Sequence, residues 1–327
     1  MGQIRACISG LGYYVPDKIL SNADLEKIVE TTDEWITTRT GIKERRIAEK
    51  GTRASDLGTK AALSALKNSG LKPSEIDLII VATITPDMFF PSTACAIQNN
   101  IGASCGAFDL AAACSGFTYG LAVAESFIVA GKFLNILVIG AEVLSGFIDW
   151  RDRATCVLFG DGAGAAVVSR STDGSGILVS HMGSDGSLGG ILQIPGGGSA
   201  NPPSHETVDQ GLHYLKMEGS EVFKVAVRTM EQAVNQVLRL GGMSISDLNW
   251  IVPHQANIRI LQAAADRLKF PVEKIVMNLE RFGNMSSAST VVALAEAVHD
   301  GRIKKGDNLV LVAFGGGLTW ASSLIKW

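Results

Sequence analysis

Chemistry is most concentrated in Ala111-Ala112-Ala113-Cys114-Ser115-Gly116-Phe117. A strand-like run over 107–112 stops there, and an amphipathic run over 117–130 begins. The spacing puts Cys114 where a strand turns into a helix N-terminus. Free backbone N–H groups and the positive end of the helix dipole favour an anion at such a spot. That predicts a thiol pKa below the free-cysteine value of about 8.5, hence a nucleophilic thiolate activated by the helix. Ala113, Ser115 and Gly116 are small enough to let a substrate approach. A buried structural cysteine in an alanine-rich core fits the same stretch equally well.

Two further residues could work with such a nucleophile. His254, in Pro253-His254-Gln255-Ala256-Asn257, follows an apolar run ending at Pro253; Asn284 and Ser286 lie just ahead of another apolar helix. An imidazole in a loop is also an ordinary packing residue, as His181, His205, His213 and His299 are expected to be, since they show no ligand spacing. The glycine runs Gly160-Asp161-Gly162-Ala163-Gly164 and Gly315-Gly316-Gly317 invite a phosphate-loop reading. Neither precedes Lys-Ser/Thr or opens a helix in a dinucleotide-binding unit, so turn or close-approach glycines explain them better. A backbone N–H in 315–317 could act as an oxyanion donor.

The whole chain bounds the function class. Its 327 residues suggest about two domain-sized units. Charged residues make up 19% and glycines number 36, a composition that suits a well-buried α/β body with apolar surface left for a subunit contact. A net charge of −3 argues against a general nucleic-acid binder. No apolar run reaches membrane-spanning length, the start lacks a secretory apolar region, and residue 6 is Ala, which weakens a myristoylation reading. The five cysteines form no CxxC pair, so neither a disulfide framework nor a metal site is expected, and a reducing cytoplasm fits.

What must position the three residues is a repeated unit. The segment 54–80 reads as a helix, a terminal glycine, then an apolar strand, and so does 226–252. One offset relates Gly70 to Gly242 and Ser74 to Ser246. A second pair starts at Cys114 and at Asn284, each followed at the same interval by a glycine, Gly131 or Gly301, and then a strand. Two copies in the same order imply two similar halves about a pseudo-twofold axis, 1–174 and 175–327, with the boundary within 171–175. The axis would bring the N-termini of the two central helices together, and with them Cys114, His254 and Asn284 at strand and helix ends. Quieter readings are a strand over 3–9, a helix over 22–30 capped by Asn22, a short helix over 33–41, a hairpin of 154–159 with 163–169, and a long surface loop over 191–210 rimming the site.

With these motifs in hand, the chain resembles the β-ketoacyl-acyl-carrier-protein synthase III family of the thiolase superfamily, from end to end. The carriers are Thr32-Asp33-Glu34-Trp35 through Gly41-Ile42, Ala112 to Gly116, Phe159 to Ala166, Val252 to Asn257, Gly283-Asn284 and Ala313 to Gly317. The resemblance implies a duplicated five-layer αβαβα sandwich and a homodimer. It implies Cys114, His254 and Asn284 as the catalytic set, with backbone N–H groups of Cys114 and Gly316 as oxyanion hole. It further implies that Trp35 and Arg153 sandwich the adenine of coenzyme A, and that Thr31, Arg39, Gly219 and Asn257 line the pantetheine tunnel or its mouth. Phe90 is expected to reach the partner's acyl pocket, which Phe159, Met217 and Phe314 also line. Lys224 and Arg259 are expected to meet the acidic acyl carrier protein. Two departures stand out: Met285 and Ser287 where the family commonly has Thr and Ala, with a consequence for acyl preference expected from Met285; and Asp266-Arg267 in place of a basic pair.

The implied activity is a decarboxylative Claisen condensation of a short acyl-CoA, acetyl-CoA foremost, with malonyl-acyl-carrier-protein, starting type II fatty acid synthesis. Cys114 takes the acyl group, and His254 and Asn284 stabilise the enolate formed when carbon dioxide leaves. No metal or redox cofactor is called for, since thioester and carboxylate supply the driving force. Three alternatives stand beside this: a related condensing enzyme priming a polyketide or quinolone pathway; a degradative thiolase, which lacks its second cysteine here because the last one is Cys156; and a non-catalytic acyl-binding scaffold.

Overall fold

The computed structural model describes residues 4–327. Met1, Gly2 and Gln3 lie outside the described residues; Gln3 begins the expected first strand, and Gly2 bears on the myristoylation reading.

Five strands form one sheet in the order Ala6–Tyr14, Gly162–Arg170, Asn135–Glu142, Leu78–Ala82, Gly106–Leu110. The first two pairings are antiparallel and the last two parallel. A second sheet repeats this order with Gly176–Ser184, Thr319–Lys326, Asn308–Gly315 and Trp250–Pro253. Its fifth place is held by a single parallel bridge from Ile251 to Ile275. All strands of the first sheet precede Ser171, and all strands of the second follow Ser175.

Strands covered on both sides are apolar on both sides. Along Asn135–Glu142, Ile136 and Val138 enter a central cluster, while Leu137, Ile139 and Ala141 enter an outer one. Along Asn308–Gly315, Leu309 and Leu311 enter the same central cluster, and Val310 and Val312 a different outer one. The central layer is two helices, Gly116–Val129 and Ala288–His299, apolar nearly all round because a sheet lies on either side. Ala54–Ser69 and Thr93–Ile101 cover the first sheet; Gly219–Gly241 and Ile258–Leu268 cover the second. The result is a duplicated αβαβα sandwich. The repeat reaches to the caps: Gly70 and Gly242 end equivalent helices in the left-handed region, at φ 74° and 67°.

Some local expectations are corrected. The first strand is Ala6–Tyr14, extending well past residue 9. The helix expected over 22–30 is a single turn, Asn22–Leu25. Ser21 caps it, not Asn22, whose amide donates instead to Asp33 Oδ1 and Ile42 O. There is no hairpin of 154–159 with 163–169. Asp152 caps a short helix, Arg153–Cys156, and Gly162–Arg170 pairs with Ala6–Tyr14 and Asn135–Glu142. The Gly160 turn serves close approach: a methyl on Gly160 would lie 2.5 Å from Phe282 O. Buried Asp161 ties the turn down by accepting from Ala48 N, Ser145 N and Ser145 Oγ. The loop expected over 191–210 carries a two-residue strand, Leu192–Gln193, paired with Lys216–Met217, and a helix, His205–Asp209. Near the N-terminus, Ile42 is buried among helices of the second half, so the halves interlock.

Candidate active site

Cys114 lies in the turn Ala113–Ser115, between the strand Gly106–Leu110 and the helix Gly116–Val129. Ala113 is held at φ 46°, a conformation that persists in a non-glycine residue only where the surroundings enforce it. Part of that enforcement comes from the end of Asn308–Gly315. A methyl on Gly315 would lie 2.5 Å from Cys114 N, so only glycine lets the 315–317 backbone pass the nucleophile turn.

His254 follows Trp250–Pro253, and its N–H donates to Val312 O at 2.8 Å. Gln255 locks the turn from behind. It is fully buried, donates Nε2 to Pro253 O (2.8 Å) and Val276 O (3.0 Å), and accepts from Asn278 N (3.0 Å). Asn284 forms a parallel bridge with Phe159; its N–H donates to Leu158 O at 2.9 Å and its carbonyl accepts from Gly160 N at 3.0 Å. Its side-chain Oδ1 accepts from Ser286 N at 2.8 Å. That bond fixes which end of the amide is which and leaves the Nδ2 protons for a ligand.

Cys114, His254, Asn284 and Gly316 line one cavity of about 350 Å³, with walls that are mostly apolar. The residue types come from both halves of the chain. A larger cleft, about 690 Å³, lies elsewhere and contains neither cysteine nor histidine, so size does not locate the chemistry.

Burial dominates the electrostatics. It pushes the Cys114 thiol up to about 12, against the pull of the Ser286 hydroxyl and a backbone N–H. The expectation of a lowered pKa is therefore corrected: in the free protein Cys114 is a thiol, because the loss of water costs the thiolate more than the helix end returns. Burial likewise holds His254 down to about 3, so its imidazole is neutral, and its Nδ1 has no hydrogen-bond partner. A neutral imidazole can donate from one nitrogen and accept at the other. Ser286 Oγ acts on both Cys114 and Glu142 without reaching hydrogen-bond geometry to either.

The family models described as 3-oxoacyl-[acyl-carrier-protein (ACP)] synthase III and its C-terminal counterpart match residues 108–186 and 238–327. The β-ketoacyl-[acyl-carrier-protein] synthase III of Caldanaerobacter subterraneus subsp. tengcongensis is 57% identical, over 99% of this chain and 98% of its own. That of Clostridioides difficile is 52% identical, over 99% and 98%. The crystal structure of 3-oxoacyl-[acyl-carrier-protein] synthase III from Aquifex aeolicus is 49% identical and superposes with a TM-score of 0.92, covering 98% of this chain and 100% of that one. The chain belongs to the β-ketoacyl-acyl-carrier-protein synthase III family. It is a condensing acyltransferase.

In this synthase the remaining singled-out residues fall into three groups. Phe159, Met217, Phe314, Gly219 and Asn257 line the cavity with the catalytic candidates. Asn257 also caps the helix Ile258–Leu268 by accepting from Ile260 N. Thr31, Trp35, Arg39 and Arg153 lie apart from the cavity lining. The guanidinium of Arg153 sits 4.7 Å from the Trp35 ring centroid and that of Arg39 4.8 Å, so the slot expected for a purine is filled by arginine in the free chain. Lys224 and Arg259 are exposed on the two helices that cover the second sheet. Lys224 is paired with Glu221, and Arg259 lies over Phe223. Phe90 is 84% exposed and does not line its own chain's cavity.

Met285 is fully buried against Phe282, Val292, Tyr13 and Val15, outside the cavity lining. The expected consequence for acyl preference is therefore not supported. A methyl on Gly162 would lie 2.5 Å from Met285 Sδ, so Gly162 makes the room this methionine fills. Sequence reasoning missed the walls supplied by Leu144, Leu192, Ile194 and Leu215. For Leu192 and Ile194 the available signal was apolar residues inside the segment read as a surface loop. It also missed Glu142, a charge ending an otherwise apolar strand. Among the described residues no His/Cys/Asp/Glu group is arranged to hold a metal, and no helix is long and apolar enough to cross a membrane.

Proposed function

We propose that this chain condenses a short acyl-CoA with malonyl-acyl-carrier-protein, through Cys114, His254 and Asn284, to start fatty acid synthesis. The observation that carries the reading is that these three side chains, drawn from both halves, line one mostly apolar cavity beside the glycine backbone at 316. Cys114 Sγ attacks the thioester carbonyl, whose oxyanion is held by the N–H groups of Cys114 and Gly316. The C–S bond to coenzyme A breaks, and the proton lost by Cys114 ends on the coenzyme sulfur. Neutral His254 is available to pass that proton across. Malonyl-carrier-protein then enters; carbon dioxide leaves, and its electron pair forms an enolate. The enolate oxygen accepts from His254 and from Asn284 Nδ2, and its carbon attacks the acyl carbonyl. Cys114 departs and is reprotonated from solvent. A neutral imidazole suits this role, since it donates without having to be charged in a mostly apolar cavity.

Adenine is proposed to stack on Trp35 after displacing a guanidinium, with Thr31, Arg39, Gly219 and Asn257 along the tunnel. Exposed Lys224 and Arg259 fit an acidic carrier protein. A homodimer is supported by the edge strand Gly106–Leu110, open on its outer side, and by Phe89 and Phe90, 78% and 84% exposed. Phe90 then completes the partner's acyl pocket. We take 1–174 and 175–327 as the two repeated units. All five cysteines are free, which suits a reducing cytoplasm.

Intact-mass spectrometry after incubation with a panel of acyl-CoAs, followed by malonyl-carrier-protein, tests the reading. Mass gain on Cys114 and its discharge on condensation are expected. No adduct with any acyl-CoA returns the chain to a binding scaffold. Equal use of malonyl-CoA in place of the carrier-protein thioester favours a polyketide- or quinolone-type condensing enzyme.

A further inference from the structure

Glu142 has no place in the steps above, yet it lies beside them. It ends the strand Asn135–Glu142 and has no exposed surface. Its partners are all neutral. Oε2 accepts from Thr85 Oγ1 at 2.7 Å and Ile84 N at 3.2 Å, with Thr83 Oγ1 at 3.3 Å; Oε1 lies 2.8 Å from Ser287 Oγ, with Ile84 N further off at 3.4 Å. Ser287 Oγ is also 2.8 Å from Ala82 O. A serine hydroxyl has one proton, and a backbone carbonyl can only accept. Two acceptors at equal distance thus compete for one proton, unless the carboxyl group brings its own.

Ser287 is the residue from which the helix Ala288–His299 starts, three positions after Asn284. Its carbonyl oxygen lies 2.5 Å from where a methyl on Gly140 would be, and its Cβ 3.6 Å from that of a methyl on Gly116. The seam between the halves therefore runs Gly116, Gly140 and Glu142 on one side against 286–288 on the other. Asn284 hangs from that seam through Ser286 N, and Cys114 precedes Gly116 by two residues.

We propose that Glu142 is a neutral carboxylic acid that donates its proton to Ser287 Oγ, and that it is the positioning residue holding the Asn284–Ser287 segment against the Cys114 helix. Ser287 then donates to Ala82 O, and every proton in the chain has one acceptor. Burial without a cation favours the neutral form and raises the Glu142 pKa. The chemistry gains from this. An ionised carboxylate would oppose the negative charge that develops on the cavity oxygens, whereas a neutral acid supplies the same hydrogen bonds without it.

The proposal rests on the roles given to Cys114 and Asn284, but the first measurement does not. Infrared spectra of the full-length enzyme at mildly alkaline pH should show a protonated-carboxyl C=O band that shifts in deuterated water and disappears in Glu142→Gln. Absence of the band, or its survival in that variant, overturns the proposal even if no acyl-CoA is ever turned over. The second measurement uses acyl-enzyme formation and carbon dioxide release. Glu142→Leu, which cannot bond Ser287, should slow decarboxylation by up to about 10²-fold, the cost of a misplaced reacting group. Glu142→Gln, whose amide donates to Ser287 and accepts from Thr85 as the acid does, should recover most of that loss. A Gln variant as slow as Leu, or one that does not fold, overturns the assignment, because a neutral isostere must be accepted where a neutral acid stood.

Discussion

Replacing Asn284 with alanine separates the two half-reactions. The side chain makes one bond within the protein, Oδ1 to Ser286 N at 2.8 Å, and the backbone on either side is pinned by Leu158 O and Gly160 N. Alanine keeps that backbone path and removes the Nδ2 donor aimed at the cavity. Loss of one preorganised donor to a developing oxyanion typically costs about 10²–10³ in rate, or about 3–4 kcal/mol. Decarboxylation and condensation should fall by that factor. Acylation of Cys114, which does not use Nδ2, should stay within about threefold. Leaving Ser286 N without its acceptor should cost a further ~1 kcal/mol of stability, seen as a melting temperature lower by about 2 °C. Asn284→Asp sharpens the test: it keeps the acceptor but sets a carboxylate where negative charge develops, so its decarboxylation should fall at least as far as that of the alanine variant. His254→Ala, by contrast, should slow both half-reactions, since burial raises the thiol pKa and the neutral imidazole, which lines the same cavity, is proposed to pass its proton on. The assay is acyl-enzyme mass together with carbon dioxide release for each variant. Near-normal carbon dioxide release by Asn284→Ala, or its failure to acylate, refutes the division of labour.

Burial raises the Cys114 pKa, so the neutral thiol prevails until pH climbs past the raised value; iodoacetamide alkylation should still be accelerating with pH beyond the free-cysteine range of about 8.5, and a plateau below it refutes this. Trp35→Ala should raise KM for acyl-CoA several-fold and leave KM for malonyl-carrier-protein unchanged; equal shifts exclude a coenzyme role. Phe90→Thr should admit longer or branched acyl-CoAs if, as proposed, Phe90 supplies bulk to a partner's pocket, and a wild type that already prefers long chains defeats the idea. Met285→Thr should cost about 2 kcal/mol or more, from lost packing and a buried hydroxyl, with primer preference unchanged; a shift in preference without destabilisation contradicts its place outside the cavity.

The sequence by itself determined an α/β body made of two repeated halves. Helix-period segments alternate with apolar strands, and the matched intervals after Cys114 and Asn284 reveal the duplication before any contact is known; the five-layer order came with the family resemblance. Small neighbours and a change of period marked Cys114 as one candidate at an element end; the set Cys114, His254 and Asn284 came from the short motifs that carry the family resemblance. What shares a cavity with what is a different matter. That Phe159 bridges to Asn284, that Leu192 and Ile194 turn inward from a loop, and that Met285 turns away are consequences of long-range packing with no local periodicity to announce them. The thiol pKa shows the limit most clearly. Cys114 stands at a helix N-terminus in sequence, which alone favours the thiolate, but two sheets and the strand end at Gly315 close over it. Desolvation depends on everything that surrounds a group, and only the tertiary structure decides what surrounds it.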